Sequence, residues 1–181
     1  LLRALRNIVE TALFKPTNPL LFQYWSTTPF LLGSGAMKYS ARPCASMHAD
    51  EATRPENPGP DFLREAMVRL LAERDACFDF MVQPQTDAGA MPIEDAAVRW
   101  SEEASPFVKV GTIRIPAQKF TSPAQDMFCE NLSINPWHTL VEHRPLGGIN
   151  RVRRAVYEAI SEYRHTRNHA PRTEPTGDER F

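Results

Sequence analysis

The chain has few cysteines, few glycines, no long apolar run and no excess of either charge, and each shortage excludes something. Cys44, Cys77 and Cys129 are odd in number and have no metal or redox spacing, so free buried thiols in a reducing compartment are expected. No apolar stretch approaches the ~20 residues of a membrane span. The opening residues also lack the basic, apolar and cleavage-site succession of a leader, so a soluble, cytoplasmic protein with no membrane partner is expected. Twenty-one basic residues against 22 acidic ones give a net charge of −1 and a pI near 6.6, which argues against a general nucleic-acid surface. Eight glycines against 16 prolines imply many punctuated loops. With 181 residues, 42% of them hydrophobic, there is enough chain for one ordinary domain and its core. Position 1 is Leu rather than Met, which suggests that the chain begins inside a longer protein.

In order along the chain, Leu2, Leu5, Ile8, Val9, Ala12 and Leu13 recur at helical spacing until Pro16 and Pro19 end the segment. Leu20 to Phe30 is an irregular aromatic stretch, and Ala36 to Pro43 reads as a strand. Cys44 to Pro60 is a polar excursion in which His48 reads as an exposed histidine rather than a metal ligand. Asp61 opens a second helix that turns Phe62, Leu63, Ala66, Met67, Leu70 and Leu71 to the core. Strands follow at Cys77–Gln83, at Ala96–Trp100 and at Phe107–Ile115, the last with a bulge at Gly111, where the apolar phase changes. Ser122-Pro123-Ala124-Gln125 is a capping box that starts a short helix. The pattern is α+β, with about four strands and a disordered tail over residues 168–181.

One segment organises the rest. From Asn150, placed to cap a helix, Val152, Ala155, Val156, Ala159, Ile160 and Tyr163 make one apolar side, and Arg153, Tyr157 and Arg164 fall within roughly 40° of one another along its edge. Arg151, Arg153 and Arg154 crowd the first turn, where the helix dipole opposes each cation by about 0.3–1 kcal/mol. Six arginines between Arg144 and Arg167 face only Glu158 and Glu162, so an anionic ligand, an anionic side chain or a nucleic-acid backbone is expected as their partner. A solvated Arg/Glu face is the plainest alternative.

Arg153, Tyr157 and Arg164 resemble the haem catalases, which carry their proximal iron ligand in an Arg-x-x-x-Tyr segment with a second Arg seven residues after the Tyr. Glu130-Asn131-Leu132-Ser133-Ile134-Asn135-Pro136 looks like that family's Glu-Gln-x-Ala-Phe-x-Pro segment, and Pro136 stands 21 residues before Tyr157, close to the family's interval. Tyr24-Trp25-Ser26-Thr27-Thr28-Pro29-Phe30, followed by Ala36-Met37-Lys38-Tyr39-Ser40, resembles its Tyr-x-Ser-x-x-Pro-Tyr and Ala-Lys-Tyr barrel segments. Ala155 and Ala159 depart from it, standing where the family usually has Phe and Asp.

The resemblance implies an α+β fold that forms the second half of an antiparallel catalase-type β-barrel, with flanking helices and a C-terminal haem-proximal helix, over residues 1–167. It implies haem b as cofactor, Tyr157 as iron ligand, Arg153 turned on the phenolate, Arg164 on a propionate, and hydrogen peroxide or an organic peroxide as substrate. The phenolate and propionates would then be the anions that the arginines lack. The family's distal His and Asn precede the counterpart of Tyr24, and residues 1–23 hold no histidine, so the chain alone is expected to bind haem without turnover and to act with a missing N-terminal half or as a homo-oligomer. His138 and His143 are rival iron ligands or hydrogen-bonding loop histidines. The alternative functions are a basic helix that grips nucleic-acid phosphates, with Trp137 and Tyr163 stacking on bases, and a fragment without catalysis.

Overall fold

In the computed structural model residues 2–47, 53–172 and 174–180 are described, so His48 lies outside the described residues. Helix α1 (Leu2–Leu13) stops ahead of Pro16 as expected, yet its Leu5, Ile8, Val9 and Leu13 are exposed. Five antiparallel strands follow: β1 (Tyr24–Trp25), β2 (Phe30–Leu32), β3 (Gly35–Pro43), β4 (Ala76–Pro84) and β5 (Val108–Ile115). β3 pairs with β4 and β4 with β5, while β1 and β2 share the other edge of β3 as two pieces of one broken strand. The sheet is open. β2 and β3 join through Gly33-Ser34, where Gly33 takes φ +61°, the left-handed conformation that tight hairpins demand.

Alternation along the strands sorts the core. Met37, Tyr39, Phe80 and Val82 pack with Phe30. Helix α2 (Phe62–Glu73) contributes Met67, Leu70 and Leu71 to a second cluster with Leu20, Leu21, Ala76 and Phe78. A third joins Ala36, Met91 and Trp100. The expected bulge is present: the β4–β5 register slips between Phe80 and Met81, leaving Val110 as the extra residue beside Gly111.

Two expectations fail here for physical reasons. The Ala96–Trp100 segment forms no strand: Asp95 turns the chain, accepting from Ala97 N through Oδ1 at 3.0 Å and from Val98 N through its carbonyl at 3.3 Å, and the Trp100 carbonyl is taken by the buried Gln83 amide at 3.3 Å. Cys44 and Cys77 are not free thiols. They form a disulfide with their Cα atoms 5.6 Å apart, and Cys129 is free but exposed. The β3–β4 register, which sets Pro43 opposite Phe78, brings the two cysteines side by side across 33 residues of sequence, a pairing that no spacing motif announces. The thiols therefore give no ground for inferring a reducing compartment.

The capping box starts α3 (Pro123–Asn131) as read: Ser122 Oγ accepts from Gln125 N and Gln125 Oε1 accepts from Ser122 N. After a single 3₁₀ turn (Val141–His143), helix α4 runs from Gly148 to Asn168. Asn150 is not its cap. That position belongs to Gly147, at φ +84°, where an added Cβ would lie 2.8 Å from the Ile93 carbonyl oxygen. Glu94, distant in sequence, accepts the Gly148 N–H at 2.8 Å and so does the work expected of the cap.

Candidate functional site

The segment between β1 and β2 sets the site. Ser26–Pro29 leaves the ladder, with Thr27 at φ 64°, a rare conformation for a β-branched residue. Ser26 Oγ accepts from Tyr39 N and Ser26 N donates to Tyr39 O, so the break is pinned to β3. Thr28 is thereby buried against α4, where its hydroxyl lies 3.1 Å from Asn150 Oδ1. Backbone bonds from Leu31 N to Arg144 O and from Leu146 N to Pro29 O cover the outer edge of β2 and deliver the chain into α4.

Asn150 is fully buried inside the first turn of α4. Its Nδ2 donates to Pro29 O at 3.0 Å and to Leu146 O at 2.8 Å, and its Oδ1 accepts from Thr28 and from Arg153 Nη1. Its carbonyl accepts the Trp137 indole N–H at 2.8 Å. The residue read as a cap is thus the pin that joins α4 to the sheet.

α4 packs by its polar stripe. Asn150, Ser161 and His165 are buried and Arg153 and Arg164 are half-buried, while Ile149, Val152, Val156, Ile160 and Tyr163 face outward. Far along the helix, Ser133 and Ser161 share a hydroxyl contact, His165 Nε2 lies 3.4 Å from Ser133 Oγ, and Arg164 Nη2 donates to Leu132 O. The usual arrangement, apolar side inward, is inverted because the loops that meet α4 present carbonyls and hydroxyls.

Of the three first-turn arginines, two find their anions in side chains of the chain itself, one of the kinds of partner expected for them. Arg151 pairs with Glu94 through two bonds of 3.1 Å. That bond and the Gly148 N–H hold the Glu94 carboxyl below the usual range. Arg154 meets Glu158 at 3.4 Å and lies over the Trp137 ring. Arg153 differs: its Nη1 donates to Thr28 Oγ1 at 3.1 Å and to Asn150 Oδ1 at 3.3 Å, both neutral, and among the described residues no carboxylate forms an ion pair with it. Its charge reaches Tyr39 on β3, opposing the burial that raises that phenol.

Tyr157 follows Arg153 by one helical turn and is 40% exposed. Arg164 lies two turns further on, with Nε buried and no acceptor among the described residues. The three residues of the Arg-x-x-x-Tyr pattern therefore share the edge of α4 that borders the protein body. His138 and His143 stand on the segment before α4: His138 Nδ1 is 3.8 Å from Glu174 Oε2, and His143 Nδ1 is buried with no hydrogen-bond partner among the described residues. Trp137 is engaged with Asn150 and Arg154, while Tyr163 is exposed. Sequence reasoning missed Thr28, Asn150, Tyr39 and Glu94 as parts of the site, although Thr28, Tyr39 and Asn150 lay inside segments it had singled out.

The donor set fits haem on two observations. A partly exposed phenol sits one turn from a cation that lacks an anion, and the Arg164 Nε–H is a buried donor with nothing to receive it. No group of three or more His, Cys, Asp or Glu among the described residues is placed to hold a bare metal ion.

An open antiparallel sheet with flanking helices, its strand edge broken to receive a C-terminal helix, defines a catalase-like fold. Solved structures carry that likeness: catalase A from Saccharomyces cerevisiae superposes with a TM-score of 0.67 at 13% identity, over 92% of this chain and 37% of that one. A fungal catalase gives 0.64 at 14% identity, over 83% and 32%, and a bacterial catalase 0.56 at 16%, over 83% and 31%. This chain spans about a third of the length of these catalases. No protein-family model matches the chain, and no curated protein matches it in sequence.

Proposed function

We propose that this chain binds haem through Tyr157 and contributes the proximal side of a centre that acts on hydrogen peroxide or an organic peroxide. The observation that carries the reading is the isolation of Arg153, a cation held by neutral partners one turn before a partly exposed tyrosine on a catalase-like fold. Haem, when bound, supplies the ferric centre and the redox chemistry of peroxide.

The chain's own residues have three tasks. Tyr157 would offer its oxygen to the iron as a phenolate, a form that positive charge on the same edge of the helix stabilises. Arg153 can do this because neither Thr28 nor Asn150 neutralises it. Arg164 offers the spare Nε–H to a carboxylate of the cofactor, and Val152, Val156 and Ile160 lay an apolar surface along the same helix. Peroxide turnover is proposed for an assembly that also supplies a distal histidine. A phosphate-gripping basic helix is the weaker reading, since Arg151 and Arg154 are already engaged by Glu94 and Glu158.

Titration of the purified chain with haemin, followed by absorption spectroscopy, tests this. A ferric band at one equivalent that is lost in Tyr157→Phe is expected, with affinity reduced about tenfold in Arg153→Ala, a change of ~1.4 kcal/mol. A band that survives Tyr157→Phe unchanged would remove Tyr157 as the ligand.

A further inference from the structure

We infer that Thr28 and Asn150 are positioning residues for Arg153, a neutral clamp that fixes the guanidinium beside the first turn of α4 without spending its charge. The functional half of this inference rests on the haem-binding reading; the structural half stands without it.

Three features carry it. The first is that the clamp is rigid. Asn150 Nδ2 is committed to Pro29 O and Leu146 O, so a flip of the amide would set two carbonyls against Oδ1 and its NH₂ against Arg153. Oδ1 can face only Thr28 and Arg153. The second is that Thr28 is held in place at a conformational cost. It reaches α4 because Thr27 occupies the left-handed region, at φ 64°, and such conformations persist where surrounding contacts enforce them, often at functional sites. The hydroxyl is buried with two acceptors for its one proton, Asn150 Oδ1 at 3.1 Å and Ser26 O at 3.3 Å, and its oxygen accepts from Arg153 Nη1 at 3.1 Å.

The third feature is the choice of acceptors. Arg151 and Arg154, on the same turn, are given carboxylates, whereas Arg153 is given an amide oxygen and a hydroxyl. A carboxylate in either position would hold the side chain as firmly and cancel much of its field at a neighbouring phenol. Nη1 takes both clamp bonds, which leaves the remaining N–H groups of the fork for another acceptor.

Tyr39 gives a readout that does not depend on haem, because its phenol feels the Arg153 charge. The four tyrosines can be labelled with ¹³C at Cζ and titrated by NMR in the haem-free chain. In Arg153→Met the Tyr39 midpoint should rise, because the charge that opposes the effect of burial is gone. Thr28→Val, which removes the hydroxyl at nearly constant shape, should reproduce most of that rise, and Thr28→Ser should restore the native value. In the haemin titration Thr28→Val should bind several-fold more weakly and Thr28→Ser normally.

A rise in Arg153→Met with none in Thr28→Val would overturn the clamp. Should Thr28→Val fail to fold, the native protein decides: the Arg153 Nη protons should be resolved and slow to rotate in ¹⁵N-selective spectra, and a freely rotating guanidinium would refute the inference. If the Tyr39 shifts appear but no Tyr157-dependent haem band does, the haem reading falls and the clamp stands. If the band appears while the Tyr39 shifts are absent, the clamp falls and the haem reading stands.

Discussion

Asn150 concentrates more of the fold than any other single side chain, because one buried amide joins the β1–β2 break, the Leu146 carbonyl and the Arg153 fork. Replacing it by Leu keeps the volume but strands the Leu146 carbonyl, leaves Pro29 O with the Leu146 N–H alone and takes an acceptor from Thr28 and Arg153; an unsatisfied buried group costs ~1–3 kcal/mol. Asn150→Leu should therefore lower the unfolding free energy by about 2–4 kcal/mol in urea titrations. A loss below about 0.5 kcal/mol, the ordinary surface effect, would show that the amide is not the pin described. At the same scale, Cys44 and Cys77 are bonded and Cys129 is exposed. Thiol titration of the native, unreduced protein should count one reactive sulfur, and three after reduction and unfolding.

Among the elements, α4 departs furthest from the amphipathic rule, with its apolar residues outward and its polar stripe against the body. Val156→Glu should cost within about 0.5 kcal/mol of nothing, because the side chain already meets solvent. A loss of several kcal/mol would mean that the helix packs by its other side. The start of α4 carries a pH prediction. The Glu94 carboxyl is held below its ordinary value, first by Arg151 and then by the Gly148 N–H. A carboxyl whose folded value is depressed contributes stability that is fully present above its unfolded value, about 4.3 for Glu, and is lost as pH falls through the folded value. Amide exchange at Gly148–Arg151, measured by mass spectrometry, should quicken over that acid range in the native chain. In Glu94→Gln the same amides should exchange faster at neutral pH, with the acid-dependent step gone.

The whole molecule is an open sheet with a helix attached at one edge and a second edge, β5, that no segment among the described residues covers. Val108, Val110 and Ile113 on β5 and the outer side of α4 leave apolar surface in water, and unpaired strand edges of this kind invite association. The haem proposal belongs to this scale as well, since it needs the helix, the strand break and the sheet together. No helix among the described residues is long and apolar enough to cross a membrane.

What the sequence determined by itself was local. Periodicity placed α1 and α2, proline ended α1, the Ser122–Gln125 box started α3, and the change of phase at Gly111 located the bulge, because each depends on neighbours within a turn or a strand pair. The spacing of Arg153, Tyr157 and Arg164 likewise put all three on one edge of a helix, and the segments that resemble catalases carried the fold. The rest depended on contacts between residues far apart in the chain. Glu94 could not be seen as the partner of Arg151 and the cap of Gly148 across more than 50 residues, with distances of 57 and 54. Nor could the Cys44–Cys77 bond be read before the β3–β4 register existed. Which side of α4 turned inward was decided the same way, by a strand break and loops offering carbonyls and hydroxyls, for which polar side chains are the better complement.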